Sequence, residues 1–100
     1  KIKEEIFRID ERIKEKPVTN YIGYKVNWYN FVSIHVSKRQ LKIEVRKNKL
    51  EKDKKKRFIK YPSSYGYGKT PVWRAYITKE DDLDYMLPII KESYEAAPDK

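Results

Sequence analysis

Few residues in this sequence could do chemistry. His35 is the only histidine, and Ser33 and Ser37 lie two residues to either side of it. Residues two apart on a strand share a face, so a serine nucleophile beside an imidazole base is conceivable there. Such a pair also needs an orienting carboxylate and an oxyanion hole, and no motif supplies either. Asp81, Asp82 and Asp84 cluster as metal ligands do. No D-x-D-x-D-G loop follows them, and acidic residues at a helix start are accounted for by capping and the helix dipole. Glu44-Val45-Arg46 approaches a nuclease-type (D/E)-x-K element but carries arginine in place of the lysine. Gly66, Gly68 and Lys69 lack both the G-x-x-x-x-G-K-[ST] spacing and the following helix of a phosphate-cradling loop, so turn chemistry explains them. With no cysteine at all, thiolate catalysis, disulfides and zinc ribbons are excluded. The expectation is a non-enzymatic protein with no cofactor and no metal.

What remains is charge. The 100 residues hold 24 Lys and Arg against 15 Asp and Glu, a net charge of +9. The excess has an address. Residues 1–20 and 61–100 are nearly balanced, whereas residues 21–60 carry thirteen cations and three carboxylates. The densest run is Arg46, Lys47, Lys49, Lys52, Lys54, Lys55, Lys56, Arg57 and Lys60. Lysines and arginines in such a run neutralise phosphates and release counterions, which points to a polyanionic partner. A solvated lysine-rich loop is the plainer alternative. Aromatics follow the run: Tyr61, Tyr65, Tyr67 and Trp73, with Trp28 and Tyr29 in an earlier turn. Exposed rings beside cations can stack on unpaired bases or anchor a protein partner, and in a small domain they also fill the core. Tyr65 and Tyr67, set among glycines, are the better candidates for exposure.

These residues must be held by a small number of elements. Ile2, Ile6, Ile9 and Ile13 recur at helical spacing and predict an amphipathic helix from Ile2 to Lys16, stopped by Pro17. Alternating runs follow at Tyr21 to Val26, Phe31 to Ser37, Leu41 to Arg46, Arg57 to Tyr61 and Val72 to Thr78. In the second of these, Val32, Ile34 and Val36 are expected on the buried face and Phe31 on the other. Glu80 to Ala97 predicts a second helix with Leu83, Met86, Leu87, Ile90 and Tyr94 as its buried stripe, with Pro88 either kinking it or marking the start of its longer piece. Thr78 and Asp81 resemble its capping box.

The order predicts an α+β two-layer sandwich: an N-terminal helix, an antiparallel meander of four to five strands, and a C-terminal helix. A length of 100 residues fits one domain. Both helices should cover one sheet face, leaving Tyr21, Lys25, Lys42 and Arg46 on the other, with some of Phe31, His35, Arg74 and Tyr76. No run approaches the length of a membrane span or a signal peptide, and the absence of cysteine fits the cytoplasm. A first residue of Lys1 is what a module of a longer protein would show.

Several of these segments carry a resemblance. Tyr21-Ile22-Gly23-Tyr24-Lys25, followed by Phe31-Val32-Ser33-Ile34, resembles the opening of a small bacterial and archaeal domain family of unknown function. The strand from Leu41 to Val45, the turn Tyr65-Gly66-Tyr67-Gly68, and the ending from Asp81-Asp82-Leu83-Asp84-Tyr85 to Ile89-Ile90-Lys91-Glu92-Ser93-Tyr94 are similar to that family too. Some members bear the label "predicted transport protein"; others are C-terminal modules of restriction-type or nuclease proteins. The resemblance implies kinship with the YjbR-like, double-wing α+β fold, which has been linked to DNA binding. It implies no catalytic residues. The family usually has an acidic stretch after the third strand, where this chain is basic.

The expectation is therefore a non-catalytic nucleic-acid-binding module, with DNA favoured over RNA and no membrane partner, accessory to a nuclease or restriction-type defence protein or joined to other domains of its parent. Lys47, Lys49, Lys52, Lys54, Lys55, Lys56 and Arg57 would contact phosphate. Lys42 and Arg46 would extend the footprint, with Tyr65 and Tyr67 as secondary contacts. The alternative is a protein-interaction or scaffolding domain.

Overall fold

A computed structural model describes residues 2–27, 29–61, 70–78 and 82–98. Helix α1 runs Ile2–Ile9, and strands β1 (Lys14–Pro17), β2 (Ile22–Val26), β3 (Tyr29–Val36), β4 (Leu41–Arg46), β5 (Ile59–Tyr61) and β6 (Val72–Ile77) follow, then helix α2 (Asp82–Glu95). The strands form one sheet in the order β1-β2-β3-β4-β6-β5, with every neighbouring pair antiparallel. The α+β architecture matches the expectation. The strand count is six, and β6 enters between β4 and β5, so the sheet is not a simple meander.

The first difference lies at the N-terminus. The helix ends at Ile9, not Lys16, because Asp10 builds a turn. Its carboxylate accepts the Arg12 backbone N–H at 2.9 Å and the Arg12 guanidinium at 2.7 Å, and its carbonyl accepts Ile13 N–H at 3.1 Å. The Tyr94 hydroxyl donates to the same carboxylate. The turn still delivers Ile13 to the core, so the isoleucine spacing persists across a helix end. Lys14 and Lys16 lie on β1, where they pair with Lys25 and Gly23 of β2, and not at a helix C-terminus.

The second difference is a bulge. Tyr24 faces Val32, but Lys25 faces Asn30, so Phe31 is an extra residue on β3. A bulge of this kind reverses the side-chain alternation locally. Phe31 is therefore fully buried, packed edge-on against Tyr94 with ring centroids 5.5 Å apart, and does not lie on the outer face. At the other end of β3, Val36 is 69% exposed despite its alternation. The β2–β3 turn places Asn27 at φ 57°, a conformation that asparagine tolerates better than most residues.

Both helices pack on one face. Ile6 of α1, and Met86, Ile89, Ile90 and Tyr94 of α2, share a single cluster with Tyr24, Val32, Ile34, Ile43, Val45, Ala75 and Ile77 of the sheet. α2 is continuous through Pro88, which lies exposed and removes only one backbone donor. Of its expected stripe, Met86, Ile90 and Tyr94 are buried and Leu83 and Leu87 are partly so; Ile89 joins them. Asp81 of the expected capping box, Trp28, and the Tyr65–Gly68 turn lie outside the described residues.

Candidate nucleic-acid interface

Strand alternation fixes what the sheet face opposite the helices carries. Gly23, Ser33, Glu44 and Arg74 face one another across β2, β3, β4 and β6. The neighbouring row sets His35 opposite Lys42 and Lys42 opposite Tyr76. Lys14, Lys16, Lys25 and Arg46 lie on the same face by the same alternation. Four strands thus bring Lys14, Lys16, Lys25, Lys42, Arg46 and Arg74 together, with Glu44 as the carboxylate in the register. Lys14, Lys16, Lys25 and Lys42 form no ion pair among the described residues. Lys14 and Lys16 are exposed; Lys25, Lys42 and Arg46 are half-buried.

The centre of the face is a connected polar cluster. The Arg74 guanidinium donates to Glu44 at 2.8 Å and stacks over the Tyr61 ring at 4.5 Å. His35 Nε2 lies 3.4 Å from the other Glu44 oxygen. Burial lowers the imidazole pKa, the Lys42 cation lowers it further, and Glu44 opposes both. Tyr21 lies against the His35 ring, 5.1 Å between centroids and 34° between planes. The Ser33 hydroxyl accepts from Asn30 Nδ2 at 2.9 Å, so its bond is with an amide and not with the imidazole. Asn30 lies across β2 only because residue 23 is glycine: a Cβ there would sit 2.8 Å from Asn30 Oδ1.

The basic run occupies a different surface. Its loop folds back over α2 on the helix side of the sheet, held by two acidic residues. Glu92, 7% exposed, accepts the Glu51 N–H at 2.6 Å, the Lys52 N–H at 3.0 Å and the Lys47 ammonium at 2.7 Å. Burial alone would raise the Glu92 pKa; the ammonium and the two backbone donors outweigh it and hold the carboxyl below its ordinary range. Asp53 accepts the Arg57 and Phe58 N–H groups, each at 2.9 Å, and the Tyr85 hydroxyl. The same balance of burial against hydrogen bonds lowers its pKa. The loop is an ordered strap whose turn sets Lys56 at φ 53°.

The expected phosphate contacts therefore divide. Lys42 and Arg46 are on the sheet face. Lys47 pairs with Glu92 and Glu51, and Arg57 pairs with Asp82 at 2.9 Å. Lys55 lies 5.3 Å from the Tyr85 ring. Lys49, Lys52, Lys54 and Lys56 are exposed and form no ion pair among the described residues. Tyr65 and Tyr67 lie outside the described residues. Lys14 and Lys16 were missed as face residues, although Lys14-Glu15-Lys16-Pro17 has the period of a strand ended by proline. Among the described residues no helix is long and apolar enough to cross a membrane, and no group of three acidic or histidine side chains could hold a metal.

Fold and surface together define a small α+β domain with helices on one sheet face and a cation-rich opposite face. The chain belongs to the family described as a domain of unknown function, DUF5655, whose model matches residues 1–97. No curated protein and no solved structure matches it.

Proposed function

We propose that the domain is a non-catalytic nucleic-acid-binding module, DNA before RNA, and that its footprint is the face of the sheet opposite the two helices. One observation carries the reading: Lys14, Lys16, Lys25, Lys42 and Arg46 converge on that face from β1, β2 and β4. Cations spread over a broad surface neutralise a phosphate backbone without a pocket. The resemblance to C-terminal modules of restriction-type and nuclease proteins, and to the YjbR-like fold, agrees with an accessory role beside a cytoplasmic nuclease. The strap lysines would join only where a nucleic acid wraps past the end of the sheet.

Gel shift with duplex and single-stranded DNA at about 50 mM salt tests this. Wild-type protein is expected to shift at least one of them. The pair Lys25→Glu and Lys42→Glu is expected to weaken binding at least about tenfold with an unchanged far-UV spectrum. No shift by the wild type, or a shift untouched by that pair, overturns the reading.

A second reading has its own support. Edge strand β5 is three residues long and presents Ile59 at 62% exposure. A strand at the end of the sheet order with an exposed apolar side chain suits a protein partner. A partner retained after nuclease treatment and at high salt would select that reading.

A further inference from the structure

We infer that the ligand class is single-stranded nucleic acid, stacked on an aromatic row that crosses the sheet; this rests on the binding proposal above. The row is built by register. Tyr21 lies against His35 on one side. His35 faces Lys42, and Lys42 faces Tyr76. A ring pair, a cation and a second ring thus succeed one another across the sheet. His35 and Tyr76 are two strand spacings apart, about 10 Å.

Each member suits an unpaired base. Tyr76 is 44% exposed, far more than a ring retained only for packing requires. The Tyr21 and His35 rings already lie against each other, so little ordering is left for binding. The His35 pKa is lowered, first by burial, so its ring is neutral at pH 7 and offers a π face without added charge. Lys42, without an ion pair among the described residues, stands between the two platforms where a connecting phosphate would pass. Duplex DNA offers none of this chemistry, because its base faces are already stacked on one another. Sheet faces with aromatic platforms take splayed single strands for that reason. The Ser33–Glu44–Arg74 row beside the platform presents polar groups that stacked bases could meet at their edges.

The test compares fluorescein-labelled oligothymidylate with the same strand annealed to its complement, read by anisotropy at low salt. The wild type is expected to bind the single strand at least about tenfold more tightly than the duplex. Tyr76→Ala is expected to weaken single-strand binding by roughly five- to a hundredfold and leave duplex binding unchanged. Tyr76→Phe keeps the ring and is expected to bind as the wild type does. A duplex preference, or equal loss on both ligands in Tyr76→Ala, overturns this inference and leaves nucleic-acid binding standing. No binding to either ligand overturns both. The exposure of Tyr76 keeps the variant's folding secure, and circular dichroism verifies it.

Discussion

His35 sits where several groups compete over its proton. Burial and the Lys42 cation favour the neutral ring, Glu44 favours the charged one, and Arg74 sides with Lys42. Tyr21 covers one face of the imidazole. The result is a histidine whose folded-state pKa lies below its unfolded value near 6.5. The unfolded chain then binds more protons than the folded one as pH falls through that region, so stability declines with acidification. Above the unfolded value both states are neutral, and nothing is lost. Glu92 and Asp53 behave in the opposite sense. Their carboxyls are held low, so their contribution is present at neutral pH and is lost only at lower pH, as each protonates. Urea midpoints from pH 7.5 down to 5.5 are therefore expected to fall in the wild type and to stay flatter in His35→Gln. The acid loss from the carboxyls would remain in both. Parallel curves through that window would show that His35 is not the titrating group.

At the scale of elements, α2 does more than cover the sheet. The β3–β4 ladder ends at the Val32–Val45 pair, beside the bulged Phe31, and fully buried Ser93 bridges the two strands where it stops. Its hydroxyl accepts the Arg46 N–H at 3.0 Å and donates to the Phe31 carbonyl at 2.6 Å. Removing it strands a buried donor and acceptor that no water reaches easily. Ser93→Ala is expected to destabilise the fold by about 2 kcal/mol in urea unfolding, within the usual range for buried unsatisfied groups. A change under about 0.5 kcal/mol would show that the strands close the gap themselves. Such ties explain what the sequence could and could not show. β4 was legible because Leu41, Ile43 and Val45 alternate with Lys42, Glu44 and Arg46 without interruption. The end of α1 was not, because Ile9 and Ile13 reach the core on either side of a turn that preserves helical spacing. Phe31 was misplaced because an extra residue leaves no trace in a two-residue period. The charge run was visible, but Glu92 and Asp53, which fold it onto α2, act across 32 to 45 residues, where no local pattern reaches.

The whole molecule sorts its charge onto two sides, and salt dependence can count which side meets a ligand. Each phosphate neutralised on a single strand contributes about −0.7 to the slope of log affinity against log salt. The sheet face offers Lys14, Lys16, Lys25 and Lys42, with Arg46 as a fifth. Four to five contacts predict a slope of about −3 to −3.5. The strap lysines 49, 54 and 56 stand on the other side of the sheet, above α2, and a strand lying on the sheet face does not touch them. Changing those three to glutamine is therefore expected to leave the slope as it is. Changing Lys14 and Lys16 to glutamine is expected to flatten it by about 1.4, because both stand on β1 at the margin of the same face. The contrast is sharp because all five substitutions fall on exposed side chains that hold no ion pair among the described residues, so none disturbs the fold. A slope that responds to the strap and ignores β1 would move the binding surface to the helix side. A slope of about −6 that responds to both would mean that the ligand passes round the end of the sheet and engages the two surfaces together.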